Sequence, residues 1–187
     1  MPQLSRIVLV FPVSDIAAQS MWRALLDHAY FAPTTTKFDN TIVFELDSSS
    51  DILAVHSSKD GVFSNHIDSF LDTDLIIFAS RHSAASGKPA LLVHPPGNWG
   101  EPTLGGASYE LAYTSAYAIK QGLMNLKNKK FEYNLEEYSV NLEVTHHGPT
   151  SMKAPTIFME LGSNEEYWKD QRAALACLLY TSPSPRD

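Results

Sequence analysis

Four short apolar runs constrain this chain more than anything else in it. They are Ile7-Val8-Leu9-Val10-Phe11, Leu75-Ile76-Ile77-Phe78, Ala90-Leu91-Leu92-Val93 and residues 156–161. Each is too short for a buried helix, and the first three lack the polar alternation of a half-exposed strand. Such runs read as strands covered on both faces, the signature of a sheet wrapped by helices. The fourth departs in one respect: Ile157, Met159 and Leu161 point one way, and Glu160 points the other. Between the runs lie helical patterns. Ser14 or Asp15 caps a helix in which Ala17, Met21, Ala24, Leu25 and His28 recur at the helical period. Gly105-Gly106 precedes a long helix over 107–128 with Ala112, Ala116, Ile119, Leu123 and Leu126 as its stripe. Ser163 and Glu166 have capping-box spacing and open a last helix through Trp168, Gln171 and Leu175. Residues 31–40 read as a loop and 63–71 as weakly helical. Residues 41–47 and 51–56 read as a hairpin, and 138–145 as a strand. Strands alternating with helices predict an α/β fold, a three-layer sandwich around a mixed, largely parallel sheet.

The 187 residues suit one domain, and a formal net charge of −7 argues against broad electrostatic binding of nucleic acid, DNA included. Two local basic clusters remain. Lys127, Lys129 and Lys130 read as a helix end; Arg81 and Lys88 form the other. There is no apolar run of 18 residues and no secretory leader, so a cytoplasmic protein without a membrane segment is the expectation, a monomer by default. Cys177 is the single cysteine, which removes a disulfide framework and a cysteine-type zinc site. The ending from Cys177 to Asp187 reads like a translated sequencing adaptor. The expectation is therefore a domain over 1–176, incomplete at its C-terminus, followed by a non-native tail over 177–187.

Chemistry concentrates in three polar segments that follow strands: Arg81-His82, His94 to Asn98, and Val144-Thr145-His146-His147-Gly148-Pro149-Thr150. In α/β sheets, loops at the carboxyl ends of strands gather in one crevice. His82, His94, His146, His147, Glu143 and Glu160 are the residue types that hold zinc, three of them plus a water in a catalytic site. Zinc would lower the pKa of that water to about 7. Neighbouring histidines on an extended chain point to opposite sides, so His146 and His147 converge only if the Gly148-Pro149 turn bends them; otherwise one packs structurally in the turn. Gly97 and Gly100 let backbone approach a ligand closely, and Trp99 between them offers a stacking face or fills a tight turn. His56 and His66 have no partner at metal-ligand spacing and read as surface or loop residues. Neither a phosphate-binding glycine loop nor a serine nucleophile elbow is present.

In series, Ser80-Arg81-His82-Ser83, His94-Pro95-Pro96-Gly97-Asn98-Trp99-Gly100, Glu143 to Thr150 and Phe158-Met159-Glu160-Leu161-Gly162-Ser163 resemble the D-aminoacyl-tRNA deacylase family of the archaeal and plant type. The resemblance runs from about Ile7 to Ala176. It implies a zinc-dependent hydrolase that frees D-amino acids from mischarged tRNA, on a phosphorylase- or peptidyl-tRNA-hydrolase-like fold. It also implies further chain beyond Ala176 in family members. The expected metal ligands are His82, His94, His146 and Glu160 around Zn2+. The expected catalytic groups are His146, His147 and Glu143, with Asn98 for the oxyanion. Arg81 and Lys88 would hold terminal phosphates, with Gly97, Trp99, Gly148 and Pro149 shaping the place of the D-aminoacyl-tRNA 3′ end. Two rival readings share the fold: a nucleoside or peptide hydrolase or phosphorylase, and a non-catalytic module that binds the tRNA end.

Overall fold

The computed structural model describes residues 6–69 and 72–178. The strands are β1 (Ile7–Pro12), β2 (Phe31–Phe38), β3 (Thr41–Leu46), β4 (Ser49–Ser57), β5 (Leu75–Ser83), β6 (Ala90–His94), β7 (Ser139–Leu142) and β8 (Thr156–Ser163). The helices are α1 (Ile16–Leu26), α2 (Ala116–Glu132), α3 (Glu165–Trp168) and α4 (Gln171–Leu178). One sheet takes all eight strands in the order β2-β3-β4-β1-β5-β8-β6-β7. Its centre, β4-β1-β5-β8, is parallel. β6 turns back antiparallel to β8 and carries β7 parallel to itself. The fold is therefore α/β around a mixed sheet.

The alternation inside the apolar runs sorts side chains into two cores. Leu9, Phe11, Ile77, Leu91, Val93, Ile157, Met159 and Leu161 face the helices. Val8, Val10, Ile76, Phe78 and Phe158 face the other way. That second face is covered by two 3-10 turns, Gly61–Phe63 and Asn65–Ser69, and by a segment carrying Met152 and Ala154. The three layers are thus helices, sheet and a thin irregular cover. A thin cover leaves room for polar groups on the sheet face, and Glu160 lies on that face.

Several expectations are corrected. Residues 31–38 form an edge strand rather than a loop. Phe31 and Phe38 bury its two ends, and Thr34 Oγ1 donates to Val43 O at 2.8 Å. An edge tolerates Pro33, next to which the register slips. The long helix begins at Ala116, capped by Ser115, because residues 109–112 pair back onto 96–100. The last helix is capped by Asn164, which accepts from Glu166 N and Tyr167 N; Ser163 stays in β8 and donates to Lys88 O. It is split into α3 and α4. Residues 65–69, inside the stretch read as weakly helical, form a 3-10 helix. His56 lies in β4 with its ring edge-on to Trp22 at 5.2 Å, and His66 Nε2 contacts Asp39 Oδ2 at 2.8 Å, so neither is an idle loop residue. Of the segment read as a non-native tail, Cys177 and Leu178 complete α4 and are buried; the rest, 179–187, lies outside the described residues.

Candidate functional site

Glu160 sits in the middle of β8, directly beside Ser80 of β5 and Leu92 of β6. Two residues beyond Ser80, on the same face, β5 delivers His82. At its end, opposite Phe158, β6 delivers His94. The chain leaving β7 then carries Glu143 and folds over this face, bringing His146 and His147. His147 adopts the left-handed backbone conformation (φ 49°), which is how two adjacent imidazoles come to face one cluster. Gly97 N donates to His147 O at 2.7 Å, and Pro96 bridges His146, so the 95–98 segment fixes the pair from outside.

Glu160 is 3% exposed and touches three imidazoles. Its Oε1 lies 3.4 Å from His94 Nε2 and 3.6 Å from His147 Nε2; its Oε2 lies 3.5 Å from His82 Nδ1. Glu143 Oε2 is 3.8 Å from His82 Nδ1 and 4.0 Å from His146 Nε2. The three other histidines share one arrangement. His94 Nδ1 donates to Pro95 O at 3.0 Å, His146 Nδ1 to Val144 O at 2.8 Å, and His147 Nδ1 to Gly148 O at 2.6 Å. A backbone carbonyl that takes the Nδ1 proton fixes the tautomer and turns the Nε2 lone pair inward, as metal-binding histidines require. His94 Nε2 is buried without a hydrogen-bond partner. At 3.4 Å its contact with Glu160 is an electrostatic one.

The donor atoms fall into two groups that could each hold a metal ion, His94–His146–His147 and His82–Glu143–Glu160, with the atoms of each within 4.8 Å of one another. Around a tetrahedral zinc with bonds of about 2.1 Å, two ligands stand about 3.4 Å apart. The separations of Glu160 from His94, His147 and His82 match that edge. The residues present therefore fit a metal ion.

The electrostatics agree with a shared charge. Burial alone would raise the Glu160 pKa, but its contacts with His147, His82 and His94 hold the carboxyl well below its ordinary range. Burial would lower His94, yet Glu160 beside it raises it on balance. His146 is lowered by burial and by the neighbouring His94 and His147.

A cleft of about 520 Å³ opens over the cluster, lined by Arg81, His82, Ser83, Thr103, Leu104, Glu143, Val144, His146, His147 and Glu160. The expectation that strand-end loops gather in a crevice is corrected. β6 runs antiparallel to β5, so His82 and His94 leave at opposite ends, and the cluster forms on the face of the sheet around Glu160. Asn98 is not brought to it: its amide Nδ2 donates to Gly105 O at 2.9 Å and Ala107 O at 3.1 Å, clamping a loop. Lys88 is exposed at the β5–β6 connection. Gly97, Gly148 and Pro149 pack behind the histidines, and Trp99 stands outside the cleft; of the residues expected to hold substrate, Arg81 lines it.

Two carboxylates that the sequence did not mark as site residues position Arg81. Asp60 Oδ2 meets its guanidinium at 3.0 Å. Asp15 Oδ2 accepts from Arg81 N at 2.9 Å while its Oδ1 caps α1 through Ala18 N at 2.9 Å. Burial raises the pKa of Asp15 even so. The sequence signal for Asp15 was the cap alone. Asp15→Ala is expected to cost about 1–2 kcal/mol from the lost cap and to free the Arg81 end of β5. Thermal unfolding measures the first, and a larger loss than in Asp15→Asn separates capping from charge.

An α/β domain with a histidine–carboxylate cluster at the floor of an open cleft is what fold and site define. The family model for D-aminoacyl-tRNA deacylase matches residues 69–181. A D-aminoacyl-tRNA deacylase of Thermococcus onnurineus is 31% identical over 172 residues, 89% of this chain and 61% of the relative. A crystal structure described as a conserved protein of unknown function, AF0625, superposes with a TM-score of 0.81 at 31% identity, covering 92% of this chain and 60% of that one. Futalosine hydrolase of Helicobacter pylori shares the fold at a TM-score of 0.54 and 10% identity, covering 93% and 96% of the two chains. This chain belongs to the D-aminoacyl-tRNA deacylase family. It spans about 61% of the length of the Thermococcus relative.

Proposed function

We propose that this protein hydrolyses the ester between a D-amino acid and the terminal ribose of tRNA in the cytoplasm, at the cluster around Glu160, with zinc as its cofactor. The observation that carries the reading is the common tautomer of His94, His146 and His147: three Nε2 lone pairs aimed inward beside a buried carboxylate, at the floor of an open cleft, in a chain of the deacylase family. His94, His146 and His147 would hold the ion, with Glu160 against His94 and His147 and Glu143 against His146. Zinc so held supplies Lewis acidity and eases deprotonation of water near neutral pH.

The chain's own groups divide the remaining work. Glu143 lines the cleft with its side chain 29% exposed, whereas Glu160 is sealed. Glu143 is therefore the carboxylate that takes the proton of the attacking water. It returns that proton to the ribose oxygen as the ester C–O bond breaks. Glu160 keeps its negative charge throughout and anchors the imidazoles. Arg81, held open by Asp60 and Asp15, offers its guanidinium to the negative charge that develops on the carbonyl oxygen or to the terminal phosphate.

Elemental analysis together with turnover of a D-aminoacyl-tRNA and its L-counterpart tests this. The protein should carry zinc and spare the L-ester. His94→Ala and His147→Ala should each lose metal and slow D-ester hydrolysis by about 100-fold or more. Near-wild-type rates in both variants would end the proposal, and turnover of free nucleosides with none of aminoacyl-tRNA would favour the hydrolase alternative.

A further inference from the structure

A row of exposed aromatic side chains lies on the segments that pair beside the histidine cluster. Trp99 is 69% exposed, Tyr109 75% and Tyr113 73%, and Tyr117 at the start of α2 is also exposed. Local pairing sets the row. Asn98 N donates to Glu110 O at 2.8 Å, Tyr109 N to Gly100 O at 3.1 Å and Ala112 N to Pro96 O at 3.2 Å, with Gly97 bridging Leu111. Gly97 has to be glycine here: a Cβ would stand 2.9 Å from Leu111 Cδ2 and 2.8 Å from Thr145 Cγ2. The same Gly97 donates to His147 O, so the aromatic segment is hydrogen-bonded directly to the histidine pair. Thr156 N donates to Tyr113 O at 2.9 Å and ties the far end to β8. Rigid backbone therefore holds large aromatic faces out in water, an arrangement that marks a binding surface.

The next element supplies charge. α2 carries Lys120, Lys127, Lys129 and Lys130 against Glu132 alone, four positive charges to one negative, in a chain whose net charge is −7. Lys129 pairs with Glu132 and Lys130 donates to Tyr138 O. Lys120 and Lys127 stay exposed on the outward face, at helical spacing from Tyr117 and Met124. Aromatic faces that accept any base, followed by isolated cations, are the chemistry of single-stranded RNA leading into a phosphate backbone.

We infer that Trp99, Tyr109 and Tyr113 stack the unpaired nucleotides at the 3′ end of the substrate RNA, and that Lys120 and Lys127 on α2 take the phosphates of the strand behind them. This rests on the deacylase reading for the identity of the RNA. It adds the path by which the strand reaches the cleft, along the 97–117 segment.

The experiment uses a fluorescent single-stranded oligoribonucleotide with the 3′-terminal sequence of tRNA, and uncharged tRNA, on the intact protein. Trp99→Ala and Tyr113→Ala should each weaken binding of both by roughly tenfold or more, with zinc content and thermal midpoint unchanged. Lys120→Glu with Lys127→Glu should weaken tRNA more than the oligonucleotide and reduce the slope of log affinity against log salt by about 2. If the aromatic variants bind like wild type while wild type deacylates, the track is wrong and the activity stands. If wild type binds RNA through these residues but hydrolyses no D-aminoacyl ester, the track stands and the activity fails. A change of association state in the aromatic variants with RNA binding intact would put a protein surface on this face and overturn the inference.

Discussion

Glu160→Gln is expected to abolish metal retention and to lower D-ester turnover by about 100-fold or more. The side chain is near-isosteric, so the change removes charge while leaving volume. One carboxylate meets His94 and His147 through Oε1 and His82 through Oε2. A neutral amide presents two donors in place of one oxygen's lone pairs, and one of its faces then opposes an imidazole that it cannot satisfy. Glu160→Asp keeps the charge but shortens the reach, so it should retain part of the metal and lose most of the turnover. In metal-free protein the same residue predicts a pH window for its own contribution to stability. Glu160 is depressed below its ordinary 4.5, so its contribution is present above that value and is lost as pH falls through its lowered pKa. His94 is raised above its ordinary 6.5, so its contribution is full below that value and is lost as pH rises through its raised pKa. Both are in force between about 4.5 and 6.5, so the stability lost in Glu160→Gln relative to wild type, measured by chemical denaturation, should be largest there. Glu160→Gln should flatten the acid limb. A Gln variant that holds zinc and turns over within threefold of wild type would remove Glu160 from the centre of the site. Proton and metal compete for the same His94 lone pair, so zinc affinity should fall as pH drops through the histidine range.

The central strands were legible because burial on both faces leaves only one kind of sequence. β1, β5, β6 and β8 could be read from short apolar runs, and the odd carboxylate in β8 already stood out as a polar group facing away from Ile157, Met159 and Leu161. The six histidines and glutamates of the cluster were legible as residue types. Their arrangement was not, because it depends on β6 reversing direction beside β8. Strand polarity is decided by long-range pairing that no local pattern records. β2 was hidden for a similar reason. An edge strand with three threonines and a proline buries only its ends, so its composition matches a loop. Asn98 shows the opposite failure. Its setting between glycines suggested a ligand-facing amide, yet those glycines serve close backbone approach, and the amide clamps residues 105 and 107. Asp15 was read for one job, the helix cap, and does two, because the second partner, Arg81, is 66 positions away.

Gly148→Ala is the other change expected to have a large effect, and it acts through packing. Two other backbone segments converge on this residue. A Cβ there would stand 2.4 Å from Gly106 N, 2.6 Å from Gly105 C and 2.6 Å from Val62 O. None of these is a flexible side-chain end, so the 104–106 loop, the 3-10 turn at 61–63 or residue 148 itself has to move. Gly148 N also donates to Leu104 O at 3.0 Å, and Gly148 O accepts from His147 Nδ1. The displacement therefore reaches both the cleft wall and the tautomer of a zinc-binding candidate. Overpacking of this kind costs about 3 kcal/mol or more, which for a chain of this size lowers the thermal midpoint by roughly 6–12 °C. Metal content should fall with it, because His147 is repositioned. Gly100→Ala is the matched control: nothing lies within 4 Å of its added Cβ, so stability should change by no more than about 0.5 kcal/mol. If Gly148→Ala unfolds like the control and keeps its zinc, the convergence of the 61–63, 104–106 and 146–149 segments does not hold the histidines in place, and their geometry must come from the Gly97 side alone.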